Sequence, residues 1–475
     1  MHGVWPVADV RAAESALMAR LPDGVLMQRA AHALSVHCGQ LLGRVYGSSV
    51  VLIVGSGSNG GDALHAGARL ARRGARVHAV LLDPSRAHSG GLAALRGAGG
   101  LAASTVDGRA LIESADLVVD GILGIGGRGG LRGAAAELAD AASAKLTVAV
   151  DLPSGVDADT GAVGDSAIRA DSTVTFGALK PGILCDPGAS RAGEVRLVDI
   201  GLRADLPEPR AFVLEASDVA ALVGRPGASD DKYTRGVVGI VAGSPSYPGA
   251  GVLTTGAALH GDVGMVRYLG LAPDAIRARY PEVVVHEGAK PREVRVQAWV
   301  IGSGLGTDDT AMSLLRDALS TDLPALVDAD GITLVARAPE LVREREAPTV
   351  LTPHDREFAR IAGEPGDDRL AAARRAADDL GAIVLLKGNA TIVAEPGGRA
   401  YMNTTGSPWL ATAGSGDVLS GVIGSCLASG VDAALAAAAG AHLHGVAGQL
   451  AGADGPATAA DVLAALRAAY RAIDG

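Results

Sequence analysis

Val50-Val51-Leu52-Ile53-Val54-Gly55-Ser56-Gly57-Ser58-Asn59-Gly60-Gly61-Asp62 is the stretch that decides the fold of this 475-residue chain. Five consecutive apolar, mostly β-branched residues read as a strand buried on both faces, as in a parallel sheet. A glycine turn follows, and Ala63 to Arg73 is patterned as a helix. The unit recurs. Arg76 to Leu82 reads as a second strand, and two further apolar runs end in acids, Leu117-Val118-Val119-Asp120 and Thr147-Val148-Ala149-Val150-Asp151. Ahead of them, residues 1 to about 45 carry Leu17, Leu21, Leu26, Ala30 and Leu34 at helical spacing. Strands alternating with helices predict a mostly parallel α/β sheet, with ligands gathered at the carboxyl ends of the strands.

Around residues 202–230 this pattern stops, at Leu206-Pro207-Glu208-Pro209-Arg210 and the polar loop Arg225 to Arg235. It restarts at Val237-Val238-Gly239-Ile240-Val241 and continues through Ala298 to Ile301, Ala325 to Asp328, Val350-Leu351 and Ile383 to Leu386. Two α/β domains are expected, residues 1–212 and 213–475, the first a Rossmann-like three-layer α/β/α sandwich. Lys and Arg number 42 against 52 Asp and Glu, a net charge of −10, and there are only 3 Trp, 7 Tyr and 3 Phe. Such a chain lacks both the basic footprint and the stacking platforms of a nucleic-acid binder. Cys38, Cys185 and Cys426 are scattered and odd in number, which argues against a disulfide framework or zinc cluster. The first 30 residues carry Asp9, Glu14 and Asp23 and no signal-peptide core, and the Ala-rich Leu427 to Gly448 is broken by Asp432, His442 and His444. That stretch reads as a packed soluble helix, so no membrane association is expected, and a cytoplasmic protein is.

Gly55 to Gly60 matches the dinucleotide fingerprint G-x-G-x-x-G, with Asp83 near the usual place of a ribose-binding acid. An ordinary dehydrogenase is therefore one reading, and a ligand-free structural turn another. Asp62 argues against the first, because a carboxylate there would repel a pyrophosphate resting on the helix amides. Asp120 runs into the glycine-rich Gly121-Ile122-Leu123-Gly124-Ile125-Gly126-Gly127-Arg128-Gly129, and Asp151 opens Asp151-Leu152-Pro153-Ser154-Gly155. If these strands are neighbours, Asn59, Asp120 and Ser154 can offer hard oxygen ligands to one cation, while Asp151 faces a substrate as acid or base. Strand-end acids that merely cap turns are the plainer alternative.

Together with Ala170 to Phe176 and Lys180-Pro181-Gly182, these motifs resemble the NAD(P)H-hydrate epimerase domain over roughly residues 5–205. The resemblance implies potassium on Asn59, Asp120 and Ser154. It also implies hydrated NADH or NADPH held by Ser58, Asn59, Gly60, Gly61 and Asp62, by Gly124, Ile125, Gly126, Gly127, Arg128, Gly129 and Gly130, and by Asp151. Asp151 is then the acid/base that lets the hydrated carbon invert. Ser58, Ala63 and Ile125 stand where the family commonly has Asn, Gly and Thr.

In the second half, Ala411-Thr412-Ala413-Gly414-Ser415-Gly416-Asp417 precedes an apolar helix. Small residues let consecutive amides of Gly414, Ser415 and Gly416 converge on one anion, and Asp417 is placed to take a proton from an attacking hydroxyl. Leu385-Leu386-Lys387-Gly388-Asn389-Ala390-Thr391 ends a buried strand in a cation and free amides, and Thr352-Pro353-His354 ends another. A solvated lysine and a structural histidine are the plainer readings of these two. With Ile301-Gly302-Ser303-Gly304, Val327-Asp328-Ala329-Asp330-Gly331 and Tyr247-Pro248-Gly249-Ala250, the segment resembles the ribokinase-like superfamily. Within it, the resemblance is to the ADP/ATP-dependent NAD(P)H-hydrate dehydratase, over about residues 215–470.

That likeness implies nucleotide contacts from Lys387, Gly388, Asn389, Ala390, Thr391 and Gly416, and hydrate contacts from Ala250, Gly304, His354 and Asp417. It further implies magnesium with ADP or ATP, and a homo-oligomer. The expectation is a bifunctional enzyme that epimerises the hydrates and dehydrates the S form, releasing AMP and phosphate when ADP is used. The rival is a ribokinase-like small-alcohol kinase with a non-catalytic first half.

Overall fold

The computed structural model describes residues 1–224 and 226–473. Arg225 of the boundary loop and Asp474–Gly475 at the end of the second expected domain lie outside the described residues. The chain forms two compact units, residues 3–209 and residues 210–475 with Met1–His2.

In the first unit seven strands lie in the order Leu101–Ala103, Arg76–Leu81, Ser49–Val54, Leu117–Gly121, Thr147–Val150, Ser172–Phe176, Glu194–Val198. Every pairing is parallel. The sheet order reverses beside Ser49–Val54, whose next strand in sequence lies on one side and Leu117–Gly121 on the other. Loops leaving those two strands diverge and open a crevice, the usual ligand position in such sheets. Register brings the strand ends level: Ile53 pairs with Asp120, and Asp120 with Ala149. Ser49–Val54 is buried throughout, because helices cover both faces. Gly55 is required where it stands, since a Cβ would lie 1.9 Å from the Ile122 carbonyl oxygen. The first 45 residues form Val7–Met18 and Val25–Leu42.

In the second unit the sheet runs Val284–Val285, Met265–Tyr268, Val237–Val241, Ala298–Ile301, Ala325–Val327, Thr349–Leu351, Ile383–Leu386, all parallel. Ile392–Ala394 and Ala400–Met402 then add as antiparallel strands, followed by Ala211–Val213. Residues 202–230, where the sequence pattern lapses, thus contain a strand and the helix Ala216–Leu222. They are too short to show a period. Again the order reverses, here between Val237–Val241 and Ala298–Ile301.

Helix Ser415–Ala428 is buried on nearly every residue; its Val418, Val422 and Ile423 join Val238, Val300 and Leu326 in the core. The expected single helix across Leu427 to Gly448 is instead the end of Ser415–Ala428, a turn, and a second helix, Ala433–Ala451. Gly430, with φ 89°, ends the first helix, and the Asp432 side chain accepts hydrogen bonds from the Ala434 and Leu435 amides and caps the second. Among the described residues, no helix is long and apolar enough to cross a membrane. The three cysteines are buried and unbridged.

Candidate active sites

In the first unit, helix Ser58–Arg72 starts directly after the Gly55–Gly57 turn, so Ser58, Asn59, Gly60, Gly61 and Asp62 are its opening residues. Ser58 is exposed; the other four are buried. Asn59 lies over the next loop, its Oδ1 3.1 Å from where a Gly124 Cβ would stand, and its Nδ2 is buried without a hydrogen-bond partner. Asp120 is wholly buried and accepts hydrogen bonds from the Ser154 amide (2.8 Å), the Ser154 hydroxyl (2.6 Å) and the Ile122 amide (3.2 Å). Burial pushes its carboxyl up to about 6, against the pull of those donors. Ile125 offers its carbonyl to Arg11, and the Gly124 carbonyl accepts from the Gly127 amide. Arg128 and Gly129 are exposed on the same loop.

Asp151 has left-handed backbone geometry, φ 69°, unusual for a residue with a Cβ and a sign of imposed strain. Its Oδ1 accepts from Lys180 Nζ at 2.5 Å and from the Thr175 hydroxyl at 3.2 Å. Lys180 is buried and also donates to Thr175 Oγ1 and the Phe176 carbonyl. Asp62 differs from its expected role as a fixed negative charge. Burial, then the nearby charges of Asp151 and Glu14, push its carboxyl well above the ordinary range. The repulsion anticipated for a pyrophosphate is therefore weakened, because the ionised form is the one the site disfavours. Asp83 closes a turn by accepting from the Ser85 amide and hydroxyl, which accounts for it without a ribose.

In the second unit, Gly414 adopts φ 88° and turns the chain into helix Ser415–Ala428. The Gly416 and Asp417 amides fall in the first turn, where a helix leaves N–H groups unpaired. A cavity of about 750 Å³ is lined by Lys387, Gly388, Asn389, Thr391, Gly414, Ser415, Gly416, Asp417 and His354, among others. Ala390 is buried in the same turn but is not part of that lining. Ala250 and Gly304 sit at the strand-order reversal and touch each other: a Gly304 Cβ would lie 2.6 Å from that of Ala250. They too are outside the cavity lining.

Lys387 Nζ lies 2.8 Å from Asp328 Oδ1 and 3.7 Å from Glu357 Oε2. Asp328 also accepts from the hydroxyls of Thr352 (2.8 Å), Ser420 (2.9 Å) and Ser303 (3.3 Å). Burial would raise the Asp328 carboxyl, but Lys387 and these donors outweigh it and hold the group low. Burial and the neighbouring Asp328 push Asp417 the other way, up to about 7, despite Ser303 and Lys387. His354 caps helix Asp355–Ala362, its Nδ1 accepting from the Arg356 and Glu357 amides while the half-exposed ring borders the cavity. Buried His444 is driven down to about 4 and stays neutral, 3.1 Å from the Ser415 hydroxyl.

The family model described as YjeF-related protein N-terminus matches residues 23–182, and that described as NAD(P)H-hydrate dehydratase matches residues 238–467. The bifunctional NAD(P)H-hydrate repair enzyme Nnr of Mycobacterium leprae is 54% identical, over 89% of this chain and 88% of its own. That of Mycobacterium tuberculosis is 53% identical over the same shares. This chain belongs to the bifunctional NAD(P)H-hydrate repair enzyme family. A solved ADP/ATP-dependent NAD(P)H-hydrate dehydratase from Bacillus subtilis, co-crystallised with ATP and Mg2+, is 26% identical with a TM-score of 0.50. It covers 55% of this chain and 98% of its own. The small-alcohol kinase with an inert first half is not favoured for a member of the repair-enzyme family.

Sequence reading missed Glu14, Glu357 and Ser420, assigned no role to Lys180, and left Asp328 as one of an acid pair. Lys180 stood inside a quoted motif, and Asp328 ended a strand beside Asp330. Glu14 carries no local signal, because it reaches its cluster from a helix far away in sequence; Ser420 lies three residues after Asp417 on the same helix, but reads there as one more small residue.

Proposed function

We propose that the first unit interconverts the R and S hydrates of NADH and NADPH and that the second dehydrates the S form with ADP or ATP. The observation that carries the second step is Asp417, a carboxyl poised near neutrality beside unpaired helix amides and the Lys387 ammonium. Asp417 takes the proton of the hydrate hydroxyl as its oxygen bonds the terminal phosphorus. The phosphoanhydride breaks, and AMP leaves when the donor is ADP. Lys387 and the Gly416 and Asp417 amides offset the charge on the phosphoryl oxygens. The ring C–O bond then breaks, phosphate departs, and loss of a neighbouring ring proton restores the double bond. Magnesium bound with the nucleotide would share the phosphate charge.

Asn59, Asp120 and Ser154 suit a potassium ion. Asp120 is a buried carboxylate with no cation paired to it among the described residues, and the three side chains present hard oxygens. The unpartnered amide end of Asn59 supports this, since half a turn of the amide would put its oxygen in that place. When bound, potassium would supply positive charge beside the 121–130 loop. The ion pair with Lys180 orients Asp151 toward the hydrated carbon. Self-association is carried over from the resemblance and is checked by light scattering.

The test is incubation with epimerically resolved hydrates and each nucleotide. S hydrate should regain the absorbance of the reduced ring only with nucleotide, and R hydrate should follow after epimerisation. No recovery with either nucleotide would sink the reading.

A further inference from the structure

Two carboxyls of the first unit stand in contrasting surroundings. Asp151 accepts a hydrogen bond from the Lys180 ammonium at 2.5 Å and is ion-paired to it. Asp62, on the opening turns of helix Ser58–Arg72, is about nine-tenths buried, and its Oδ1 has no hydrogen-bond partner. Its charged neighbours are Asp151, at the end of the Thr147–Val150 strand, and Glu14, from helix Val7–Met18. Lys180 and Arg11 act on Glu14 in turn, and the His88 ring packs near Gly61. Of these three carboxyls it is Asp151 that pairs with the buried Lys180 ammonium. Glu14 is likewise pushed upward, first by burial and then by Asp151. An orphaned buried oxygen in a binding loop needs an explanation, and a group that keeps its proton supplies one. Two acids in one pocket, one ion-paired to an ammonium and the other buried with an unpartnered oxygen, are suited to divide the roles of base and acid in one reaction.

We propose that Asp62 is the second catalytic residue of the epimerase site, the proton donor that complements Asp151. This rests on the epimerase reading above. Asp151 removes the proton from the hydroxyl on the hydrated carbon, and a carbonyl forms there as the bond from that carbon to the ring nitrogen breaks. Asp62 delivers its proton to the departing nitrogen. Rotation about the freed carbon presents the other face of the carbonyl. The nitrogen adds back, returning its proton to Asp62, and the alkoxide recovers its proton from Asp151. Every proton and electron pair is restored, and only the configuration changes. Neither oxidant nor nucleotide is consumed, which suits a unit that acts without the second one's phosphate chemistry.

The test is exchange between resolved R and S hydrates catalysed by the full chain carrying Asp62→Asn, with dehydratase activity of the same chain as the internal standard. Loss of a proton donor should lower kcat for exchange at least about 100-fold. KM for hydrate should change little and dehydration of S hydrate not at all. A kcat within about threefold of the parent would overturn the assignment, as would a defect confined to KM, which marks a binding residue. Should Asp62→Asn not fold, the parent's pH profile decides: an acid must be protonated, so exchange should decline on the alkaline side, and a rate that never declines there refutes the donor. If the unaltered chain exchanges no hydrate, the epimerase reading falls and this assignment with it; exchange that survives Asp62→Asn overturns the assignment alone.

Discussion

Replacing Lys180 with Met removes the only cation in contact with Asp151 among the described residues, while keeping a side chain of similar length. Lys180 is 1% exposed, and its ammonium serves three acceptors: Asp151 Oδ1 at 2.5 Å, Thr175 Oγ1 at 2.9 Å and the Phe176 carbonyl at 3.0 Å. Breaking such a pair from one side leaves a buried carboxylate uncompensated, a loss of about 3–5 kcal/mol. For a unit of this size each kcal/mol moves the midpoint by about 2–4 °C, so the first unit should melt roughly 6–20 °C lower. Asp151→Asn alone strands the ammonium instead and should destabilise as well. The double variant leaves neither charge, and exchanging both partners of a buried pair for neutral groups is often close to neutral. Its destabilisation should therefore be well below the sum of the two single changes. Calorimetry of the full chain reads this out, with the second unit's transition as an unmoved reference. Strict additivity would refute the view that Lys180 and Asp151 form one electrostatic unit.

The dehydratase pH profile should follow Asp417. With its carboxyl near 7, kcat/KM should fall about tenfold per pH unit below that point as the base is protonated. Asp328→Asn, by removing the nearby negative charge, should move this acid limb to lower pH, and an unmoved limb would count against the coupling. Gly416→Ala places a Cβ 3.3 Å from Lys387 Nζ and 3.8 Å from Asp328 Oδ2. Nucleotide KM should rise about tenfold or more, whereas helix propensity favours Ala by up to about 1 kcal/mol. Lost activity without lost stability is the expected pair of results, measured by kinetics and thermal melting. Potassium chloride should raise the first unit's melting temperature relative to sodium chloride, and Asp120→Asn should abolish the difference. An equal response to both salts would remove the potassium assignment.

Much of the fold was legible because its signals are local. Runs such as Val50 to Val54 are apolar on both faces only if helices cover both, and that alone indicates a parallel sheet. Glycines at Gly55 and Gly414 mark turns because backbone approach or left-handed geometry excludes a side chain there. The Ala-rich stretch was misjudged as a single helix for the opposite reason. Ala favours helix everywhere, so composition concealed the break that left-handed Gly430 makes and the Asp432 cap that follows it.

The sequence by itself determined the two α/β units, the loops proposed to meet ligands, and the family motifs at the strand ends. Only the tertiary structure decided which charges share a site. Sheet order places Asp120 beside Ser154, and loop packing gives Lys180 to Asp151, leaving Asp62 unpaired. In the second unit it sets Ser420 and Lys387 on Asp328, 92 and 59 residues away in the chain. Proton affinity depends on burial and on charges a few ångströms away, and neither has any fixed relation to separation along the chain.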